Sequence, residues 1–237
     1  MNCLADVDIA VLAGGLGTRL RGVLVDKPKV LAPINDRPFL DYLLDWLEGF
    51  GARRVVLCLG YQADKVIEHL RTLKTTVAVE YVVEPEPLGT AGAVRLARPL
   101  LKSPNVMVLN GDSWLDIDLC RFFRGHCDAG TEGSLLCAPV PDMSRFGRVE
   151  VDVNSRISAY SEKDPNNFGP GTISAGFYLL KQNLLDKLMQ TQGPSIERDF
   201  WQNLPLGTIY GHVGESSNFI DIGTPESLIS APKIIRT

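Results

Sequence analysis

The stretch IAVLAGGLGTRL, which runs from Ile9 to Leu20, decides how the chain must fold. Its first four residues are apolar and predict a buried β-strand. A turn follows that predicts backbone N–H groups open to a ligand, and its glycines are Gly14, Gly15 and Gly17. Arg19 then adds a positive charge with a planar set of donors. A strand, a glycine loop and a basic residue in this order suit the binding of a polyphosphate.

Two better-known phosphate-binding loops do not match this stretch. A P-loop ends in Gly-Lys followed by Ser or Thr, whereas Gly17 is followed by Thr18 and Arg19. The dinucleotide-binding fingerprint requires a third glycine where Leu20 stands. A purely structural glycine turn stays open on the glycines alone. Lys29 favours an anion site, because it adds a second positive charge on a segment that a proline makes rigid.

The composition limits the classes of function. The chain has 237 residues, 45% of them hydrophobic and 22% charged, and a formal net charge of −4. This balance is ordinary for a soluble globular protein and provides no basic field for nucleic acid. No apolar run approaches the ~20 residues of a membrane span, and the acidic first eight residues predict no signal peptide. An odd, scattered set of five cysteines predicts reduced thiols in a cytoplasmic protein, and three scattered histidines disfavour a zinc site.

Alternating helix and strand patterns predict the fold class. Apolar positions recur at helical spacing over Pro38–Leu47 and Ala63–Leu70, while Arg54–Leu59 and Val77–Val83 are strand-like. Alternation of this kind indicates βαβ units and a mostly parallel sheet, so we expect an α/β protein. Ligands bind such sheets where strands end and helices begin.

Two further strand ends carry residues suited to a ligand. The sequence EPEPLGTAGA begins at Glu84, and within it Gly89 allows close backbone approach while Thr90 is a candidate helix N-cap. The second strand end is NGD, at residues 110–112. A carboxylate at the tip of a strand beside a phosphate loop is well placed to bind Mg²⁺, although in isolation an Asx-turn is favoured for Asp112.

Together these motifs resemble those of the sugar-1-phosphate nucleotidyltransferases. LAGGLGTRL, PKVLAPI, PLGTAG and NGD occur in the family's order and spacing, and the similarity extends over nearly the whole chain. The resemblance implies one Rossmann-like, GT-A-like domain over residues 1–237, with a central mixed, mostly parallel sheet flanked by helices. The part up to about residue 115 would bind the nucleotide, and residues 116–237 would bind the sugar. The implied reaction transfers a nucleotidyl group from an NTP to a sugar 1-phosphate, with Mg²⁺, and releases pyrophosphate.

The resemblance also assigns roles to residues. The catalytic set would be Arg19 on the triphosphate, Lys29 near the reacting phosphates, Asp112 on Mg²⁺ and Lys163 on the sugar phosphate, with Asp221 of FIDIGTPE as a second Mg²⁺ ligand. The nucleotide-binding residues would be Leu12, Ala13, Gly14, Gly15, Gly17, Thr18, Glu84, Gly89 and Thr90. The sugar phosphate would contact Asn110, Gly147, Glu162, Lys163, Gly176 and Glu197. From the residues alone, a surface charge pair stays open for Glu162 and Lys163, and a helix-capping acid for Glu197.

Residue chemistry also bears on the substrates. Glu84 stands where thymidylyl and many uridylyl members have glutamine, and a carboxylate accepts hydrogen bonds from both N1–H and N2–H₂ of guanine. This favours GTP, although a glutamate facing water and a UTP-using enzyme stay open. Because its charged site residues are all present, we expect an active enzyme rather than a silent nucleotide-sugar sensor. The sequence leaves the sugar and the oligomeric state open, a homo-oligomer included.

Overall fold

The strand of the opening motif, β1, lies inside a nine-stranded sheet in the computed structural model of the protein. The structure describes residues 2–20, 22–24, 26–164, 166, 168–215 and 218–235. Its strands are β1 (Val7–Ala13), β2 (Pro33–Ile34), β3 (Arg37–Pro38), β4 (Arg54–Leu59), β5 (Ala78–Val83), β6 (Asn105–Asn110), β7 (Ser113–Leu115), β8 (Gly133–Val140), β9 (Arg148–Val151), β10 (Ile157–Ser161), β11 (Gly171–Lys181), β12 (Tyr210–Val213) and β13 (Phe219–Asp221). Its α-helices are α1 (Phe39–Gly49), α2 (Ala63–Leu70), α3 (Gly89–Ala97), α4 (Leu119–Ala129), α5 (Gln182–Met189) and α6 (Pro225–Ile234).

The main sheet is mixed, because β10 and β11 run against the direction of its other strands. β1 pairs in parallel with β4 and β6, and β5 continues the parallel half beside β4. β11 runs antiparallel to β6 and β8, the latter pairs in parallel with β12, and β9 and β10 form an antiparallel pair. The expected α/β fold with a mixed, mostly parallel sheet is confirmed.

Helices cover both faces of this sheet, since its central strands are apolar on both sides. One face packs against α1, α2, α4 and α6, with Phe39, Val66, Phe122 and Leu228 among the buried side chains. The other face packs against α3 and α5 through side chains such as Val94 and Leu185. Among the described residues, none of these helices is long and apolar enough to cross a membrane.

A small ladder outside the main sheet brings two distant segments together. β7 follows the NGD sequence directly, and β13 pairs with it antiparallel so that Asp221 lies opposite Ser113. Helix α6 then begins with Thr224 as its N-cap, and the side chains of Thr224 and Ser227 accept each other's backbone N–H groups. Pro225 is the first residue of the helix. This reciprocal cap fixes the chain where it leaves Asp221.

The role expected of Thr90 as a helix cap is wrong. Helix α3 begins at Gly89, and the N-cap position is occupied by Leu88. Gly89 has φ of +71°, and a Cβ there would lie 2.5 Å from the carbonyl oxygen of Pro194. Glycine is required there by both conformation and space, so the helix begins two residues earlier than a cap at Thr90 would set it, and Thr90 is free for another contact.

The expectation of five reduced thiols is also wrong. Cys3 and Cys120 form a disulfide, with their Cα atoms 5.4 Å apart. The segment before β1 crosses to the start of α4, so two residues that are 117 positions apart become neighbours. Cys58 and Cys137 are free and buried, and burial raises the pKa of each thiol to about 12. Cys127 is free and exposed.

Candidate active site

A cleft with two adjoining recesses opens where β1, β5 and β6 end. The first recess, here called the loop recess, has a volume of about 290 Å³. It is lined by Leu12, Ala13, Gly14, Gly15, Leu16, Lys29, Val30, Glu84, Pro87, Gly89, Thr90, Ala93, Asn110, Gly111 and Asp112. The second, here called the polar recess, has a volume of about 470 Å³ and shares Gly89, Thr90, Asn110 and Asp112 with the first.

The polar recess draws most of its lining from the second half of the chain. Its other residues include Arg19, Ser113, Arg145, Gly147, Tyr160, Glu162, Lys163, Ser174, Gly176, Tyr178, Ser195, Glu197, Arg198 and Asp221. The structure therefore brings nearly all residues assigned from the sequence to one cleft. Within the part of the chain that the structure describes, Gly17 and Thr18 are the assigned residues that line neither recess. Gly17, with φ of +57°, turns the chain behind the loop recess into a short 3-10 helix at Thr18–Leu20.

Three charged side chains converge where the two recesses meet. The ammonium group of Lys29 donates a hydrogen bond to Asp112 Oδ2 and another, of 3.1 Å, to Asp221 Oδ1. The Lys29 side chain is only 11% exposed, because a proline and a short 3-10 helix hold its backbone. The Asp221 carboxylate also accepts the N–H of Gly223 and faces Arg145, whose Nη2 lies 3.3 Å from Oδ2.

Gly223 keeps this cluster compact. A Cβ at Gly223 would lie 2.5 Å from Lys29 Nζ and 3.1 Å from Arg19 Nη2. A side chain there would push both cations out of place. The glycine of the late FIDIGTPE motif therefore provides room for the two basic residues that come from the first motifs.

The carboxylates of Asp112 and Asp221 fit a divalent cation. They point at one positive group, the Lys29 ammonium, and they offer the hard oxygen donors that Mg²⁺ prefers. Among the described residues, no cluster of three or more acidic, His or Cys side chains could hold a metal. A donor set of two carboxylates is typical of Mg²⁺ that completes its coordination with water and substrate phosphates.

Glu84 lies in the loop recess beside the glycine loop. Its Oε2 accepts the N–H of Leu88 at 3.0 Å, and a Cβ at Gly14 would lie 2.6 Å from its Oε1. Burial raises the pKa of Glu84, and the Leu88 N–H opposes that shift in part. The carboxylate is thus held at one oxygen, while Oε1 faces the glycine loop.

Glu197 lines the polar recess and takes part in a network of hydroxyl groups. Its carboxylate accepts hydrogen bonds from Thr90 Oγ1 at 2.9 Å, from Tyr178 OH at 3.1 Å and from Ser195 Oγ at 3.1 Å. Thr90 in turn accepts the N–H of Ile196 at 2.8 Å. The cap of this segment is Ser195, which accepts the N–H of Arg198, so Glu197 does not act as a capping acid. Thr90 therefore ties the start of α3 to the wall of the polar recess.

Sequence reasoning did not assign seven residues of the polar recess that have polar side chains, namely Ser113, Arg145, Tyr160, Ser174, Tyr178, Ser195 and Arg198. Arg145 and Tyr160 lie next to motifs that were assigned, at RFG and YSEK. Ser174 and Tyr178 lie on β11, where a register shift between Ser174 and Phe177 occurs around Gly176. Because Gly176 has φ of +79°, the strand departs there from simple alternation, and the sequence pattern alone does not predict which side chains face the cleft.

Comparison with known proteins identifies the family. Residues 9–237 match the family model described as Nucleotidyl transferase. D-glycero-alpha-D-manno-heptose 1-phosphate guanylyltransferase of Aneurinibacillus thermoaerophilus is 32% identical over 228 residues, 96% of this chain and 97% of the relative. Mannose-1-phosphate guanylyltransferase of Mycobacterium tuberculosis is 34% identical over 94% of this chain, which spans 63% of that protein.

A solved structure agrees with the sequence comparisons. HddC from Yersinia pseudotuberculosis is 30% identical and superposes with a TM-score of 0.83, covering 97% of this chain and all of HddC. A second structure of HddC, described as complexed with GMP-PN, gives a TM-score of 0.82. The chain therefore belongs to the nucleotidyl transferase family and is a nucleotidyltransferase enzyme.

Proposed function

We propose that the protein transfers GMP from GTP to a sugar 1-phosphate, and that the sugar is D-glycero-α-D-manno-heptose. The observation that carries the proposal is the cluster of Lys29, Asp112 and Asp221 at the junction of the two recesses. A reaction between two bound phosphates needs cations and metal-binding carboxylates at such a junction. Relatives named as guanylyltransferases support the nucleotide, and two heptose 1-phosphate enzymes among them support the sugar.

The chemistry requires alignment and neutralisation of charge more than covalent participation. A phosphate oxygen of the sugar 1-phosphate attacks the α-phosphorus of GTP, a new P–O bond forms, and the bond to the β-phosphate oxygen breaks. Pyrophosphate leaves with the electron pair of that bond. The attacking phosphate is already ionised near neutral pH, so no general base is needed.

Each charged residue has a place in this scheme. Arg19 would bind the triphosphate, Lys163 would hold the incoming sugar phosphate, and Lys29 would neutralise charge where they react. Asp112 and Asp221 would hold Mg²⁺, which when bound supplies positive charge to the phosphate oxygens. Lys29 can shift toward the phosphates only if its bonds to the two carboxylates are exchanged, so we propose that metal and nucleotide together take over these carboxylates.

Guanine selection would rest on Glu84 in the loop recess. Oε1 faces the glycine loop and can accept a hydrogen bond from the base, and Oε2 keeps a second lone pair beside the Leu88 N–H. Guanine offers two adjacent N–H donors, whereas uracil and thymine offer one. Transfer of UMP or dTMP is the alternative at this position, and mannose, glucose or N-acetylmuramic acid 1-phosphate are alternative acceptors.

The reaction would yield GDP-heptose, which by resemblance serves bacterial surface polysaccharides, and we propose the cytoplasm as its location. The experiment that tests the function is pyrophosphate release with Mg²⁺, using GTP, UTP, dTTP, ATP and CTP against heptose, mannose and glucose 1-phosphates. Turnover restricted to GTP and heptose 1-phosphate is the expected result. An Asp112→Asn variant prepared in parallel controls for contaminating enzymes, because it should lose nearly all activity.

Other outcomes of this matrix are also informative. Turnover with UTP or dTTP would keep the reaction but contradict guanine selection by Glu84. Turnover with mannose 1-phosphate would keep guanylyl transfer and replace the sugar. Binding of GTP without turnover for any pair would favour the nucleotide-sugar sensor, an alternative of a different class on the same fold.

A further inference from the structure

Two hydroxyl groups in the wall of the polar recess have no hydrogen-bond partner among the residues that the structure describes. They are Tyr160 OH and Ser174 Oγ, and both oxygens are buried. Among the described residues, five other buried side-chain atoms lack a partner, but none of those residues lines either recess. A buried hydroxyl without a partner destabilises a fold, so a pair of them at a binding cleft calls for a ligand that satisfies both.

The hydroxyl groups next to this pair donate their own hydrogen bonds to Glu197. Thr90, Tyr178 and Ser195 all donate to Glu197 and occupy its carboxylate from three directions. Ser174 lies close enough to Tyr160 and Tyr178 to lower the pKa of each phenol, yet its Oγ does not meet standard hydrogen-bond geometry with either.

Tyr160 remains a hydrogen-bond donor at every physiological pH. Burial raises the pKa of its phenol well above the ordinary value, and the charges of Glu197 and Glu162 raise it further. Its O–H is therefore always protonated, and it needs an acceptor on the ligand. A hydroxyl group of a sugar meets that requirement, because it accepts one hydrogen bond while it donates another.

The position of the pair points to the sugar and away from the phosphates. A Cβ at Gly147 would lie 3.3 Å from Tyr160 OH, so the phenol lies directly behind this backbone. The carbonyl of Gly147 is fixed in turn, because it accepts the N–H of Ser174 at 3.0 Å. Tyr160, Ser174 and Gly147 thus form one rigid patch of the recess wall, and the Lys29 cluster lies at the separate junction with the loop recess.

We propose that Tyr160 and Ser174 form a specificity subsite that reads one hydroxyl group of the sugar 1-phosphate beside Gly147. This inference rests on the proposed function, because it assumes that the polar recess holds the sugar. Tyr160 donates its O–H to the sugar oxygen, and Ser174 completes the contact as donor or acceptor. A sugar that lacks this hydroxyl leaves the pair unsatisfied and is rejected.

The test pairs a deletion in the protein with a deletion in the substrate. Tyr160→Phe and Ser174→Ala are assayed with the best sugar 1-phosphate of the matrix above and with each of its mono-deoxy analogues. We expect Tyr160→Phe to lower kcat/KM for the parent sugar by about 10- to 100-fold while the KM for GTP stays within about 2-fold. For one deoxy analogue, kcat/KM of the wild type should fall by a similar factor. On the same change of substrate, kcat/KM of Tyr160→Phe should fall by less than about 3-fold further.

A matched control removes a tyrosine hydroxyl elsewhere. Tyr210 lies on β12, where its OH is 3.3 Å from His212 Nδ1, and Tyr210→Phe should leave kcat/KM within about 2-fold. The melting temperature separates a structural role from sugar recognition. Because Tyr160 OH has no partner in the described part of the chain, Tyr160→Phe should not lower the melting temperature.

The outcomes distinguish this inference from the proposed function. Equal losses for Tyr160→Phe on the parent sugar and on every deoxy analogue, or a marked fall in melting temperature, would overturn the subsite. Wild-type activity with no effect of either variant would overturn it as well. If the wild type turned over no sugar 1-phosphate at all, the proposed function would fail and the subsite with it.

Discussion

Polar residues lie near both ends of the central strands β1 and β6, and the two ends differ in how those groups are satisfied. Where the strands begin, Asp8 and Asn105 are bonded to groups of the protein itself. Where they end, Asp112 shares a lysine with another carboxylate at the cleft. We call the first the starting edge and the second the cleft edge.

At the starting edge, the buried polar side chains have partners within the protein. Asp8 accepts the N–H groups of Lys102 and Ser103 and pairs with Arg54 at 2.8 Å. Burial alone raises the pKa of Asp8, but the Ser103 N–H, Arg54 and the Lys102 N–H together hold it below the usual value. His126 is fully buried there, with Nδ1 at 2.6 Å from Ser134 Oγ and Nε2 at 3.2 Å from an oxygen of Asn105.

At the cleft edge, polar groups can still form hydrogen bonds and ion pairs with a ligand. Its cations and carboxylates neutralise one another in the free protein, and the Tyr160 and Ser174 hydroxyls have no partner among the described residues. Buried polar groups at the starting edge therefore stabilise the fold, whereas buried polar groups at the cleft edge are suited to binding. Substitutions at the two edges should therefore separate stability from activity.

The largest effect should come from the cleft edge. Asp112→Asn should lower kcat by about 10²- to 10³-fold, because it removes a metal-binding charge where phosphate charge develops. Its free energy of unfolding should change little, since Lys29 keeps its bond to Asp221. Steady-state kinetics and urea denaturation check this, and a large loss of stability would break the distinction between the edges.

Asp8→Asn is the matched change at the starting edge. It should lower the free energy of unfolding by about 3 kcal/mol, because Arg54 loses its buried partner and an amide NH₂ meets backbone N–H donors. Turnover per folded molecule should stay within about 2-fold. Urea denaturation followed by kinetics at saturating substrate checks this, and a loss of kcat without a loss of stability would contradict it.

His126 should make the fold sensitive to acid. Burial lowers its pKa from 6.5 to about 4, with a smaller effect from Lys181, so the folded protein holds it neutral. This contribution is complete above pH 6.5 and is lost as pH falls toward 4, because the unfolded chain then binds more protons. Between pH 7 and pH 5 the free energy of unfolding should fall by about 2 kcal/mol.

Chemical denaturation across that pH range measures the effect. Burial also lowers the pKa of His212, which contributes in the same direction. A His126→Gln variant isolates the first histidine, because its stability should vary less between pH 7 and pH 5. If the free energy of unfolding of this variant depended on pH as strongly as that of the wild type, His126 would not be the cause.

The smallest effect should be the pH dependence of GTP binding through Glu84. Its raised pKa means that the carboxylate gains a proton at a higher pH than an exposed glutamate, and a protonated carboxyl no longer accepts two guanine donors. GTP affinity should therefore fall with decreasing pH from a higher pH than an exposed glutamate would cause, by up to about tenfold, while UTP affinity should not. Calorimetry on the wild type and Glu84→Gln checks this, and parallel curves for both proteins would contradict it.

The fold was predictable where local pattern and tertiary structure agree. The apolar periodicity predicted a strand over Arg54–Leu59 and a helix over Ala63–Leu70. These are the bounds of β4 and α2 in the structure. Most of the assigned residues meet in one cleft, because parallel strands present their carboxyl ends at one edge. The family resemblance supplied their roles, which the geometry of the cleft accommodates.

The remaining features depend on contacts between distant segments. Thr90 was assigned as a cap because of its place before an apolar run, but the Pro194 carbonyl and Gly89 set the start of α3. The spacing of the cysteines in the sequence does not predict the partner of Cys3, since only the fold brings Cys3 next to Cys120. Tyr160 and Ser174 meet only because β10 and β11, which have β9 between them in the sheet, both border the same recess.

The disulfide has a topological consequence for the cleft. It closes residues 3–120 into a covalent ring that contains the glycine loop, Lys29, Glu84 and Asp112, while Asp221 belongs to the tail that leaves the ring. A protease that cut the exposed segment 85–87 would open the ring without releasing a fragment. The nicked chain would migrate as one species in a denaturing gel without reductant and as two with it, whereas a cut after residue 120 would free the tail in either gel.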